Sequence, residues 1–318
     1  SEMCIRDRYG SVRAVSVAQR LQVTFSMYLN GIILVSSVLD FGTQDFEDLT
    51  WDRACTGFLP TYAANAYYHG HNADRTLEDV LDEAEEFADG PYRKALAVGH
   101  RLDPADRAQV VATVSRLTGL DVNYIERADL RIEHVRFCTE LLRSKCKAVG
   151  RIDGRYTGAL PRRTYEVADT DPSGDDTAAI FVHGFQHYLR SELDVTTESQ
   201  YNLGLLLYKN WDYKEFQGCL VNVTDKLERI LRAQKGLRVR VEYAHPDLAT
   251  PYVAARDTIN HLKLDDHVLD RIEEAFFYTG HMPYVGCREE EADGIATFIR
   301  TSQGAPKSDS QDELGNKN

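Results

Sequence analysis

The chain has 318 residues and a formal net charge of −13, with 43% hydrophobic and 27% charged residues. That length can bury a full core, enough for one large α/β domain with an insertion or for two domains. The acidic balance argues against a nucleic-acid partner, which needs a basic face, and the longest apolar run, Gly31 to Leu39, is too short to span a bilayer.

Residues 1–8 (SEMCIRDR) fit poorly with the rest of the chain, and Met3 to Arg8 reads as a translated sequencing adapter, so they are set aside. From Tyr9 a helix is expected to about Gln22. Gly31 to Leu39, rich in Ile, Val and Leu, then reads as a buried central strand. Helix and strand form a first α/β segment over residues 9–42.

Across 43–194 the period-two signal gives way to helical patterning. Helices are expected over Leu77–Phe87, Pro91–Leu102, Pro104–Leu117, Ile132–Val149 and Thr177–Leu193. An Asp89-Gly90 break separates the first two. Asp103 is a candidate N-cap for the third, with Pro104 early and Gly119 late. Arg151 to Gly174, rich in Gly, Pro, Asp and Thr, reads as a loop. A helical block of this size between strands of one sheet is expected to be an inserted cap. A second α/β segment spans 195–301, with a helix from Leu220 to Ala233 leading back to the sheet. Residues 302–318 are polar and expected to be a disordered tail.

Six cysteines, at 4, 55, 138, 146, 219 and 287, show no zinc-type spacing. If Cys138 and Cys146 shared one helix they would stand about 12 Å apart, too far to bridge. His69-Gly70-His71 lacks a carboxylate at a fitting distance, so neither metal nor cofactor is expected.

The informative stretch is Leu237 to Pro251 (LRVRVEYAHPDLATP). Leu237, Val239, Val241 and Tyr243 alternate with Arg238, Arg240 and Glu242, the period of a strand. His245-Pro246 stops it, since proline offers no donor and restrains its predecessor. Asp247 then sits in a loop beyond a strand's carboxyl end, where open α/β sheets keep their chemistry. His245 reads as a solvated turn residue. Thr250 is the expected N-cap of a helix running from Pro251 to His261. A further strand, Ala275 to Thr279, is followed by Gly280-His281-Met282, and Glu289 to Arg300 closes the α/β part as a helix. Strand–Asp–helix–strand–His is the order of the last two members of an α/β-hydrolase triad.

Leu59-Pro60-Thr61-Tyr62-Ala63-Ala64, Gly150 to Gly158 (GRIDGRYTG), Asp247-Leu248-Ala249-Thr250-Pro251 and Gly280-His281-Met282 together resemble bacterial serine carboxypeptidases, relatives of carboxypeptidase Y and cathepsin A. The resemblance runs from Tyr9 to about Arg300. It implies an α/β-hydrolase fold, a doubly wound and mostly parallel sheet with an inserted helical cap, here without its first strands. It implies removal of C-terminal residues from peptides through an acyl-enzyme, with a free C-terminus on the peptide partner. The family's nucleophile lies in a Gly-Glu-Ser-Tyr-Gly elbow. Tyr9 and Gly10 match its last two positions, whereas the serine falls on Arg8 and the preceding two on Arg6 and Asp7. The chain as written therefore lacks the nucleophile and is expected to be inactive. His281 would be the general base, Asp247 its orienting carboxylate, and the Tyr9 backbone N–H an oxyanion donor. Tyr62 and Met282 are candidate substrate contacts. Ser11 lacks the glycines of an elbow and is a poor substitute nucleophile. Another capped hydrolase such as an esterase, or a non-catalytic hydrolase-like binder, remains an alternative.

Overall fold

The computed structural model describes residues 2–46, 51–197 and 214–304. Most of the tail expected over 302–318 lies outside them, as does much of the stretch before residue 220. Helix α1 (Glu2–Phe25) leads to β1 (Gly31–Val35). The helical segment comes next, with α2 (Trp51–Tyr68), α3 (Leu77–Phe87), α4 (Arg93–Val98), α5 (Pro104–Thr118), α6 (Val122–Arg127) and α7 (His134–Glu140). It continues through an antiparallel pair, β2 (Lys147–Val149) and β3 (Thr157–Ala159), to α8 (Pro172–Ser191). Then come α9 (Thr224–Ala233), β4 (Arg238–Ala244), α10 (Tyr252–Asn260), α11 (Asp266–Leu269), β5 (Ile272–Phe277), α12 (Pro283–Gly286) and α13 (Arg288–Gln303).

The fold is mixed α/β, mostly helical around a small parallel sheet in the order β1-β4-β5. Gly31 pairs with Arg238 and Val35 with Glu242, while Val239 to Ala244 run alongside Ile272 to Phe277. Both neighbours of β4 run in its own direction, so all three strands end on the same side. Chains entering and leaving such a sheet must cross over through helices. Leu227, Ile230 and Leu231 of α9 and Val12 and Val15 of α1 are buried in the core around the sheet. Each such aliphatic side chain contributes about 1.5–3 kcal/mol of burial.

A second core lies within the helical segment, where Phe58, Leu59, Val80, Val114, Ile125 and Phe137 pack together. The capping there matches the sequence. Thr76 accepts from the Asp79 N–H at the start of α3, and Asp103 accepts from the Ala105 N–H at the start of α5. Gly119 closes α5 at φ +71°, a conformation glycine adopts without penalty.

Three local expectations are corrected. Asp89-Gly90 does not break the chain, because a wide π-turn over Ala88–Tyr92 carries α3 into α4. Ile132–Val149 is not one helix. It stops at Glu140, turns through Cys146 at φ +56°, and Lys147–Val149 pairs with Thr157–Ala159. That pairing draws the expected loop 151–174 partly into strand, a long-range effect that helical spacing cannot reveal. The first sheet strand ends at Val35, since Ser36 takes φ +46°. Along β4 the charged face is covered as well. Arg240 and Glu242 are buried, because the strand is central and covered on both faces.

Candidate active site

Two loops leave the same edge of the sheet, one after β4 and one after β5. They bring Asp247 and His281 together. Asp247 Oδ2 lies 2.7 Å from His281 Nδ1, and both residues are almost fully buried. The chain turns at His245-Pro246 and folds the carboxylate back over its own next residues. Asp247 Oδ1 accepts from the Ala249 N–H at 2.8 Å and the Thr250 N–H at 3.0 Å. The Thr250 hydroxyl donates to Oδ2 and lies 3.2 Å from His281 Nδ1. Thr250 is therefore not the cap of α10. Pro251 occupies that position, and the hydroxyl is used on Asp247.

Because Oδ2 is an acceptor, the proton between the pair belongs on Nδ1. In a neutral imidazole this leaves the lone pair on Nε2. That is the tautomer a general base needs, held by a carboxylate that is itself held by three further donors. General-base assistance of this kind is worth on the order of 10²–10⁴-fold.

The His281 loop is held from two directions. Its N–H donates to Ile152 O at 2.8 Å, and its carbonyl accepts from Ser36 Oγ at 2.9 Å. Ser36 holds a left-handed φ just past the end of β1, a conformation that costs a non-glycine residue of order 1 kcal/mol or more. Gly280 approaches Asp153 so closely that an added Cβ would stand 2.3 Å from the Asp153 Cβ. Its N–H donates to Asp153 Oδ2 at 3.2 Å.

Asp153 belongs to the GRIDGRYTG stretch, and its placement explains that stretch physically. Arg155 pairs with Asp153 at 2.6 Å and donates to Tyr278 O and Thr279 Oγ1 at 3.1 and 2.8 Å. The bonds to Asp153 raise the Arg155 guanidinium above its ordinary range. Next to them, Gly154 N–H donates to Pro246 O at 3.2 Å, in the Asp247 loop. The segment between β2 and β3 therefore ties the aspartate loop to the histidine loop. Sequence reasoning gives no role at the pair to Asp153, Arg155, Ser36 or Thr250. A charged pair two residues apart in a glycine-rich turn is the signal that could have found two of them.

Of the remaining candidates, Met282 alone lies beside the pair. Met282 is buried beside Ile152, next to the histidine. Tyr62 is buried in the helical core, stacked on Phe137 at 4.1 Å, with its hydroxyl donated to Ile132 O at 2.8 Å. Burial raises that phenol well above its ordinary pKa. It is a core residue of α2, and the expectation that it faces a substrate is not met by this packing. Tyr9 lies seven residues inside α1, whereas only the first four N–H groups of a helix are left unbonded by it. Arg8, at the serine position of the resemblance, lies in the same helix. Ser11 exchanges hydrogen bonds with the backbone of Val38 at 3.1 Å.

His245 is half-buried, edge-on to Tyr252 at 4.8 Å, and burial lowers its pKa. It is part of an aromatic cluster and not the solvated residue expected. His69 Nε2 lies 2.7 Å from Gly154 O. Among the described residues no cluster of His, Cys, Asp and Glu could hold a metal ion. No described helix is long and apolar enough to cross a membrane. Five cysteines are free thiols among the described residues, and burial pushes Cys55 up to about 12. Comparison with family models, curated proteins and solved structures finds no match.

Proposed function

We propose that the chain carries the acid–base half of a serine-type hydrolase, and that the parent activity is that of a serine carboxypeptidase acting on peptides with a free C-terminus. The observation that carries this reading is the buried 2.7 Å Asp247–His281 pair at the ends of adjacent parallel strands. The order aspartate then histidine, each in a loop after a strand, is that of an α/β-hydrolase. In this reading the helical segment between β1 and β4 is the cap of that fold. His281 Nε2 takes the proton of an attacking serine and returns it to the leaving amine. Asp247 fixes the tautomer and stabilises the imidazolium. Nothing in the dyad itself selects an amide over an ester, so the peptidase assignment rests on the sequence resemblance.

The test is to read genomic DNA upstream of the Tyr9 codon and to express the product it encodes. The proposal expects Gly-Glu-Ser directly before Tyr9. It further expects fluorophosphonate labelling of that serine, lost in His281→Ala, and faster turnover of blocked dipeptides than of matched simple esters. A genomic Arg-Asp-Arg at this place, or a serine that resists labelling, sinks it. Equal turnover of esters would move the assignment to an esterase.

A further inference from the structure

Between Arg127 and Arg163 the sequence carries ten basic and four acidic side chains, a net +6 in a chain of net −13. The fold gathers part of this segment around a surface cavity of about 570 Å³, within the range that small-molecule ligands occupy. Five arginines line it, Arg127, Arg131, Arg136, Arg143 and Arg163, with Tyr124 and Tyr165 among them. Glu140 and Glu166 also face it, which leaves the lining with a formal excess of three positive charges.

The carboxylates orient three of the guanidinium groups and leave the other two outside any ion pair among the described residues. Arg143 pairs with Glu140 at 2.5 Å and donates to the carbonyls of Arg163 and Tyr165, so it shapes the wall. Arg136 bridges Glu133 and Glu166, and Arg131 reaches Asp52 and Asp129. Arg127 and Arg163 enter no ion pair among the described residues, and the Nε of Arg163 rests on Cys146 Sγ at 2.9 Å. Like charges held around one cavity repel, and an anion placed between them would remove that cost. Guanidinium forks match the geometry of phosphate oxygens and bind them in pairs.

We infer that this cavity is a binding site for a small polyvalent phosphate anion, separate from the Asp247–His281 pair. Arg127 and Arg163 take its phosphate oxygens, and Arg143 holds the wall from behind.

Isothermal titration of the whole chain at low salt tests this, with tripolyphosphate as one probe and ATP as the other. Saturable one-to-one binding is expected, weakened by salt. The double variant Arg127→Gln/Arg163→Gln should weaken it by roughly tenfold or more. Both side chains are exposed and make no ion pair among the described residues, so the melting temperature of that variant should fall by no more than the loss of the exposed Arg163–Cys146 bond allows. Arg127→Lys/Arg163→Lys keeps charge without the fork and should fall between. Asp247→Asn should leave binding unchanged. Tighter binding of ATP assigns the two tyrosines to a base, and equal binding assigns the site to phosphates alone. Non-saturable uptake, or undiminished affinity in Arg127→Gln/Arg163→Gln, overturns the inference.

Discussion

Glu291→Gln should make the protein more stable in alkali while changing little in acid. Glu291 of α13 and Glu242 of β4 are both buried, close enough for each carboxyl group to bear on the charge of the other. The charged groups around them are Arg240 of β4, 2.6 Å from Glu242, and Glu273 of β5, 2.7 Å from Arg240. Gly294 of α13 lets the helix close over that guanidinium, since an added Cβ would stand 2.4 Å from its Nη2. One cation thus faces three carboxyl groups, and the cheapest state keeps one of them protonated.

Burial, then the neighbouring Glu242, push Glu291 up to about 7 from an ordinary 4.5. The native state therefore binds a proton that the unfolded chain releases earlier. The stability tied to it is complete below about pH 4.5 and is lost as pH rises through about 7. At about 1.4 kcal/mol per pH unit, the loss is roughly 3 kcal/mol. Glutamine stays neutral at every pH and its amide can donate toward Glu242 Oε2, which is buried without a hydrogen-bond partner among the described residues. Urea unfolding at pH 5 and 8.5 measures the difference. The parent should lose roughly 3 kcal/mol more than the variant between these two conditions. Parallel pH profiles, or a variant less stable than the parent at pH 8.5, would refute the shared proton.

Three further outcomes are expected. Gly154→Ala places a Cβ 1.7 Å from Asn65 Oδ1 and should cost about 1–3 kcal/mol; the penalty should shrink in an Asn65→Ala background, which a double-mutant cycle of melts would show. Arg240→Met leaves Glu242 buried beside Glu291 without its cation and should cost about 3–5 kcal/mol by denaturant unfolding. Thr250→Val removes one donor from the Asp247 carboxylate and should cost about 1.5–3 kcal/mol, whereas Thr250→Ser should stay near the parent; equal losses in both would deny the hydroxyl its role.

The central strand, the positions of Asp247 and His281, and helices α3, α5, α9, α10 and α13 were readable because their signals are local. Alternation, a proline stop and an N-cap each depend on a few neighbouring residues. The misreadings share one cause. Lys147–Val149 becomes a strand only because Thr157–Ala159 lies beside it, and no periodicity records a partner ten residues away. At Arg240 and Glu242 alternation reports polarity alone, while their burial depends on what covers the strand. Tyr62 invited a binding role by its neighbours in sequence, whereas stacking on Phe137 decided its place. For the same reason Thr250 looked like a cap. Its hydroxyl serves either the helix or the carboxylate, and only the fold of the turn chooses.

The Asp247–His281 pair is not held by the sheet alone. Parallel strands set the two loops side by side, but a loop beyond a strand end has no ladder of its own to fix it. The Gly150–Gly158 segment supplies the missing constraint, through Pro246 on one side and Gly280 and His281 on the other. Asn65 of α2 donates to the same Pro246 carbonyl at 3.4 Å, so the helical segment reaches the pair through two residues. Arg155 adds a third link, because it bonds Asp153 and the backbone just before Gly280 together. Changes at Asn65, Asp153 and Arg155 should therefore couple to one another and to His281, with double-mutant energies that do not add. Additive losses at all three would mean that the segment merely fills space beside the loops. Non-additive ones would mean that the helical segment sets the histidine's position, which is the property a general base most depends on.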